Sequence, residues 1–250
     1  MSPAGVHHVV SGRPDGPVVV LSGSLGSTLE MWDATTPLLE RHFRVVRYDT
    51  RGHGRSPVVP GPCTIDALAT DLAALLDHLG VEKAHLVGLS LGGMTALRLA
   101  ARDPGRVDRL VVLCTSAFLG PAAQWTDRAA LVRARGTEAV AAAVVDRWFT
   151  PAHHDRARWE AMVAATPAEG YAACCEAIAA MDQRADLARI TAPTLAIAGA
   201  DDPATPPRHL GDIAASVRDG RLLVVPGAAH LANVEQPAAV TKAVVQHLLG

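Results

Sequence analysis

Short runs of β-branched and aliphatic residues constrain the fold of this chain more than any other feature. The runs cover residues 18–21, 44–48, 84–87, 110–113, 194–197 and 221–225. Most are continuously apolar rather than alternating, which is typical of parallel strands buried on both faces. Helical patterns separate the runs and imply right-handed crossovers. The sequence therefore predicts an α/β fold built on a mostly parallel, doubly wound sheet.

The alternation of strands and helices breaks in the middle of the chain. Residues 117–190 contain no convincing strand, only alanine-rich helical stretches. We expect residues 1–116 and 191–250 to form the core, with residues 117–190 inserted as a helical cap. Such a cap covers the carboxyl edge of the sheet, where open α/β sheets bind ligands.

The composition excludes several classes of protein. The chain has 250 residues, 49% of them hydrophobic and 19% charged, and a net charge of −2, which favours a globular domain without a nucleic-acid or membrane partner. The first ten residues lack a signal-peptide pattern, so we expect a cytoplasmic protein. The cysteines Cys63, Cys114, Cys174 and Cys175 show no C-x-x-C spacing, so we expect reduced thiols and no metal site. The oligomeric state stays open.

A G-x-S-x-G motif at residues 88–92 marks a candidate nucleophile, Ser90. The motif follows the apolar run 84–87 and precedes a helical pattern, as in a strand-turn-helix elbow that exposes a serine. The N-terminus of the helix offers free N–H groups and a dipole that stabilise a developing oxyanion. The alternative is a glycine-rich turn in which the serine only caps the helix.

A serine nucleophile needs a base, and His230 is the best placed of the eleven histidines. It lies just after the run 221–225 and ahead of the final helical pattern, at the carboxyl edge of the predicted sheet. His53 is the main rival because it also follows a strand, but its glycine-flanked loop suits a turn.

An acid must orient the base, and the loop at residues 199–206 contains Asp201 and Asp202. Asp202 is preferred because G-x-x-D followed by x-x-T-P is a familiar form of this loop. The alternative is that both aspartates only build a turn. The chain order Ser90, Asp202, His230 is that of α/β-hydrolases. For the oxyanion hole we expect the N–H groups of Ser24 and Leu91, the alternative for the Ser24 loop being a flexible glycine turn.

Longer stretches carry a family resemblance. They include LSGSLGSTLEMWD (21–33), YDTRGHGRS (48–56), GLSLGG (88–93), RWFTP (147–151), GYAACCEAIAAMD (170–182), AGADDPATPP (198–207) and AAHLANVEQP (228–237). On these residues the chain resembles the 3-oxoadipate enol-lactonases of the α/β-hydrolase superfamily. One position departs from the pattern, because many relatives carry asparagine where this chain has Gly23.

The resemblance implies an α/β-hydrolase fold and hydrolysis of 3-oxoadipate enol-lactone to 3-oxoadipate, in the β-ketoadipate pathway of protocatechuate degradation. Ser90, His230 and Asp202 act through an acyl-enzyme, with a small anionic lactone as partner and no cofactor. The alternatives are a carboxylesterase or C–C bond hydrolase of the same fold and, from another class, a small-molecule receptor with little turnover.

An anionic substrate needs hydrogen-bond donors to replace its hydration shell. Guanidinium and indole N–H groups in the predicted cap can supply them. The candidates are Gln124, Trp125, Arg128, Arg133, Arg147 and Trp148. Trp125 and Trp148 are favoured, and the alternative is that both tryptophans only pack the cap against the core.

Overall fold

One seven-stranded sheet organises the residues that the structure, a computed structural model, describes, namely 5–250. The strands are β1 (His8–Gly12), β2 (Val18–Ser22), β3 (Arg44–Tyr48), β4 (Ala84–Leu89), β5 (Val107–Leu113), β6 (Thr194–Gly199) and β7 (Gly220–Val225). Their order is β1-β3-β2-β4-β5-β6-β7. β1 runs antiparallel to β3 and the other pairs are parallel, which confirms the predicted fold class.

Every apolar run identified in the sequence is a strand, whereas β1 was not predicted. β1 lies at the edge of the sheet, where its residues are half-buried or exposed. The opposite edge strand, β7, is also partly exposed, but its sequence RLLVV reads as an apolar run, which HVVSG of β1 does not.

Helices flank both faces of the sheet. They are α1 (Thr36–Leu39), α2 (Ile65–His78), α3 (Leu91–Arg102), α4 (Ala122–Arg135), α5 (Glu138–Trp148), α6 (Ala157–Ala164), α7 (Ala168–Ala179), α8 (Pro207–Ser216), α9 (Ala232–Glu235) and α10 (Pro237–Leu249). Three short 3-10 helices span Leu29–Trp32, Pro104–Arg106 and Arg184–Arg189. None of these helices has both the length and the apolar character that crossing a bilayer requires.

Helices α4 to α7 lie between β5 and β6, within residues 117–190, which we call the helical insertion. The insertion is tied to the sheet by close contacts. The Leu231 N–H donates to the Trp148 carbonyl at 2.9 Å. A Cβ added to Gly170 would lie 2.2 Å from the carbonyl oxygen of Gly52, so only glycine permits this approach of α7 to the core. Side chains of the insertion and of the sheet share one apolar core cluster.

Candidate active site

Ser90 occupies a strained turn between β4 and α3. Its φ of 56° and ψ of −116° lie outside the regions that non-glycine residues normally adopt. Such a conformation costs about 1–3 kcal/mol and persists only where its surroundings enforce it. Here the Ser90 N–H donates to the Leu113 carbonyl at 3.0 Å, and the Thr115 hydroxyl donates to the Ser90 carbonyl at 2.7 Å. The turn is therefore held by β5 and the residues that follow it.

The two glycines of the motif are sterically required. A Cβ on Gly88 would lie 2.3 Å from the Gly92 carbonyl oxygen, and a Cβ on Gly92 would lie 2.1 Å from the Ser22 carbonyl oxygen. The Gly92 N–H also donates to the Gly23 carbonyl at 2.9 Å. The G-x-S-x-G spacing is thus what lets α3 start immediately beside the loop after β2.

Asp202 and His230 form a buried pair at the carboxyl ends of β6 and β7. His230 Nδ1 lies 2.8 Å from Asp202 Oδ2. An ionised carboxylate only accepts hydrogen bonds, so Nδ1 carries the proton and Nε2 of the neutral ring is left as a base. Ser90 and His230 line the same cavity. The Ser90 hydroxyl makes no hydrogen bond to another described residue. Catalytic hydrogen bonds often form or tighten only when substrate binds.

Asp202 is held ionised by its surroundings. Burial alone would raise its pKa, but electrostatic attraction by the His230 ring and hydrogen bonds from His230 and Thr205 outweigh burial and lower the pKa to about 2. The Thr205 hydroxyl donates to Oδ2 at 2.6 Å, and the Ala204 and Thr205 N–H groups donate to Oδ1 at 2.8 and 3.1 Å. The D-P-A-T sequence of this loop fixes the carboxylate that faces His230.

The rival residues lie elsewhere. Asp201 is exposed, and its backbone N–H bonds to the Ala228 carbonyl at 3.0 Å. His53 is fully buried outside the cavity, its Nδ1 lies 3.1 Å from the Arg51 carbonyl, and burial lowers its pKa to about 4. Its ring stacks on Tyr171 at 6.5 Å between centroids. His53 thus connects the loop after β3 to α7 and does not line the cavity that contains Ser90.

The two N–H groups predicted to form the oxyanion hole have different hydrogen-bond partners in the structure. Leu91 is the first residue of α3, so its N–H has no acceptor within the helix. The Ser24 N–H donates to Met31 Sδ at 3.3 Å, a weak acceptor that a developing oxyanion can displace. A Cβ on Gly23 would lie 2.9 Å from both Met31 Sδ and Ser27 Oγ. An asparagine at residue 23 would therefore require the side chains of Met31 and Ser27 to shift.

A cavity of about 340 Å³ opens beside Ser90 and His230, between the sheet edge and the helical insertion. This volume suits a small ligand. Gln124, Arg128, Arg147 and the two favoured tryptophans line it. The prediction for Arg133 was wrong. Its guanidinium points away from the cavity and pairs with Glu169 at 2.8 Å and with Glu176, both on α7.

The two favoured tryptophans are not equivalent. The Trp125 indole N–H donates to the Leu119 carbonyl at 3.0 Å, so this group is not free to bind a substrate, contrary to expectation. Its ring instead supports the Arg128 guanidinium, which lies 4.7 Å from the ring centroid. The Trp148 indole N–H makes no hydrogen bond within residues 5–250, and Trp148 lines the cavity while packing edge-on against Trp159 at 6.3 Å.

Three arginines give the cavity a positive wall. Arg128, Arg147 and Arg208 line it, and the lining includes no aspartate or glutamate within the described chain. None of the three forms an ion pair with a carboxylate among residues 5–250. Burial, and then repulsion by Arg128, lowers the pKa of Arg147. Arg208, Tyr171 and His209 also line the cavity, although no sequence motif marks them.

Comparisons with known proteins agree with this architecture. A family model described as the alpha/beta hydrolase fold matches residues 16–144 and 155–237. The chain is 40% identical over 253 residues to 3-oxoadipate enol-lactonase 2 of Acinetobacter baylyi, which covers 96% of this chain and 91% of the relative. The resemblance to the enol-lactonases is thereby confirmed.

A solved structure supports the same relationship. The enol-lactonase from Burkholderia xenovorans LB400 superposes with a TM-score of 0.95 at 38% identity, covering 98% of this chain and 96% of that chain. A relative from Stutzerimonas stutzeri that carries the carbamate hydrolase name RutD is 30% identical over 255 residues, covering 97% of this chain and 96% of the relative. The chain belongs to the α/β-hydrolase fold family.

Proposed function

We propose that this protein hydrolyses 3-oxoadipate enol-lactone to 3-oxoadipate, as a step in the degradation of protocatechuate. The observation that carries the proposal is the arginine wall. Arg128, Arg147 and Arg208 surround a cavity that also contains Ser90 and His230, and no protein carboxylate lines it. An anionic lactone supplies the missing negative charge.

The electrostatics favour an anion over a neutral ligand. Arg147 is half-buried, and burial lowers the pKa of its guanidinium. Repulsion by Arg128 lowers this pKa further. A bound carboxylate relieves both effects because it neutralises charge that water no longer solvates. The hydrogen bonds that result are charge-assisted, and each contributes about 1.5–3 kcal/mol.

Acylation begins when Nε2 of His230 takes the proton of the Ser90 hydroxyl, and Oγ attacks the lactone carbonyl. Asp202 holds His230 in the required tautomer and stabilises the imidazolium. The N–H groups of Leu91 and Ser24 stabilise the oxyanion. The ring C–O bond then breaks, and the leaving oxygen is an enolate, which departs more easily than an alkoxide. His230 returns the proton, and the enol tautomerises to a ketone.

Deacylation uses the same residues in reverse. His230 removes a proton from water, the hydroxide adds to the acyl carbon, and Ser90 leaves with the proton that His230 returns. The helical insertion serves as the cap of this site, because Arg128, Arg147 and Trp148 all come from it. No cofactor takes part in these steps.

The rival activities share the triad and differ in what the cap accepts. A general carboxylesterase needs no arginine wall, because its substrates are neutral. The RutD relative makes a carbamate hydrolase the second candidate, but at 30% identity it is more distant than the enol-lactonase relative at 40%. A receptor that binds without turnover would leave the lactone intact in the assays below.

Replacing Arg147 with glutamine tests the proposal. The variant retains polarity but loses the charge, so we expect kcat/KM for the anionic lactone to fall by about ten- to a hundred-fold. The methyl ester of the lactone's carboxyl group has the same ring and no charge, and its turnover should change little. Turnover is followed by loss of the lactone's ultraviolet absorbance.

Arg133→Gln is the matched control, because Arg133 is an arginine of the same insertion that points away from the cavity. We expect its preference for the anionic lactone over the methyl ester to equal that of the wild type. If Arg147→Gln depresses both substrates alike, or leaves the preference intact, the arginine wall does not select the substrate.

A further inference from the structure

The chemistry of a lactone has a consequence for the acyl-enzyme, if the proposed function holds. When the ring opens, the leaving oxygen stays attached to the acyl chain. Ser90 therefore carries a linear six-carbon chain whose far end is a free carboxylate. The cavity must accommodate this chain until water releases it, so the site has to recognise a linear acyl group with a terminal carboxylate.

Tyr171 on α7 is the best candidate for completing such recognition. Its side chain is fully buried, lines the cavity, and its hydroxyl has no hydrogen-bond partner among residues 5–250. Burial raises the pKa of the Tyr171 hydroxyl, and the nearby guanidinium of Arg128 and the charge of Arg147 oppose this rise. A guanidinium can only donate, so the approach of Arg128 leaves the proton of the hydroxyl free. The hydroxyl is thus a protonated donor at neutral pH. A buried donor without a partner is unfavourable for folding unless a ligand satisfies it.

The ring of Tyr171 is held firmly. A Cβ added to Gly26 would lie 3.0 Å from its Cε2 atom, and the His53 ring stacks on the Tyr171 ring with 6.5 Å between centroids. The hydroxyl is therefore placed by packing, and Arg128 and Arg147 lie close enough to act on it electrostatically. Together these groups offer a carboxylate one neutral donor and two cationic ones.

We propose that the site also hydrolyses acyclic monoesters of linear dicarboxylic acids, with the free carboxylate of the acyl chain bound by the Tyr171 hydroxyl, Arg128 and Arg147. Ser90 Oγ forms a bond to the ester carbon, and the bond to the alkoxy or aryloxy oxygen breaks. That oxygen leaves with the proton held by His230. Water then adds to the acyl carbon, Ser90 is released, and the products are one alcohol and one dicarboxylate.

The test uses 4-nitrophenyl monoesters of succinic, glutaric and adipic acids. The control substrate is methyl 4-nitrophenyl adipate, which has the same chain and leaving group as the adipic monoester but no charge. We expect kcat/KM to exceed the control by about tenfold or more for the adipic monoester. We also expect the adipic monoester to be the best of the series, because its acyl chain has the length of the lactone-derived acyl-enzyme.

Two tyrosine variants separate recognition from packing. Tyr171→Phe keeps the ring and removes only the hydroxyl, so we expect the preference for the monoester to fall about tenfold with an unchanged or higher Tm. Tyr48→Phe is the matched control, because the Tyr48 hydroxyl bonds to Ser22 Oγ at 2.7 Å and does not line the cavity. It should lower the Tm and leave the preference for the monoester unchanged.

The outcomes distinguish this inference from the proposed function. Turnover of the lactone with no preference for the adipic monoester over its methyl ester would overturn the inference and leave the lactonase intact. Preference for the monoester with an untouched lactone would support the inference and overturn the lactonase. A Tyr171→Phe enzyme that keeps the full preference would remove Tyr171 from the carboxylate site.

Discussion

Ser90→Ala should reduce kcat/KM by on the order of a million-fold, because the hydroxyl forms the covalent intermediate that every later step requires. The fold should survive the change. The Ser90 side chain makes no hydrogen bond in the described part of the chain. The strained backbone is held by the Ser90 N–H, which donates to Leu113, and by the Ser90 carbonyl, which accepts from Thr115, and alanine retains both groups. We expect the Tm to stay within the error of the wild-type value.

Covalent labelling gives the control for this variant. An organophosphonate that mimics the tetrahedral intermediate should add its mass to the peptide that contains Ser90 in the wild type and to nothing in Ser90→Ala. A variant that retains activity near the wild-type level, or that is labelled as before, would exclude Ser90 as the nucleophile.

Asp202→Asn should cost far more activity than Asp201→Asn. The amide cannot stabilise the imidazolium and favours the wrong tautomer of His230, which in a triad lowers kcat by about ten-thousand-fold. Asp201 is exposed, and Asp202 is the aspartate that pairs with His230, so substitution of Asp201 should be nearly neutral. The kcat values of the two variants on one ester substrate make the comparison.

Asp201→Asn is the matched control, because it makes the same chemical change in the adjacent residue. A reversed order of effects would mean that Asp201 orients His230 in solution. Equal and small effects would show that neither carboxylate orients the base.

The fold was largely predictable because four central strands, β2, β4, β5 and β6, are mostly buried and read as apolar runs. The edge strand β7 is partly exposed, yet its sequence still contains such a run, whereas β1 (HVVSG) has only two adjacent aliphatic residues between polar ones. The sequence ends the alternation of strands and helices at residue 116, and in the structure the helices α4 to α7 lie between β5 and β6.

The chain positions of Ser90, Asp202 and His230 could be predicted because parallel strands deliver their following loops to one edge of the sheet. Arg133 was misplaced because the sequence does not show which face of a cap helix is turned towards the cavity. Arg128 and Arg133 lie five residues apart on α4, which separates their side chains by roughly 140° around the helix axis. The sequence indicated a helix but not which face meets the cavity, and the face of Arg133 meets the glutamates of α7.

Other parts of the site depend on packing details that no sequence motif marks. The Trp125 indole N–H is engaged because the chain near Leu119 folds back towards α4. Arg208 and His209 reach the cavity because α8 begins directly after the Asp202 loop. Tyr171 looks like an ordinary buried aromatic residue in the sequence, and only the structure shows that its hydroxyl is unpaired.

The most direct test of the lactonase proposal compares wild-type turnover of 3-oxoadipate enol-lactone with turnover of the methyl ester of the same lactone. The ring and the leaving enolate are identical, so the comparison isolates the substrate's charge. The arginine wall predicts rapid loss of the anionic lactone, formation of 3-oxoadipate, and a kcat/KM at least about tenfold above that of the methyl ester. An untouched anionic lactone beside rapid hydrolysis of neutral esters would contradict the proposed function.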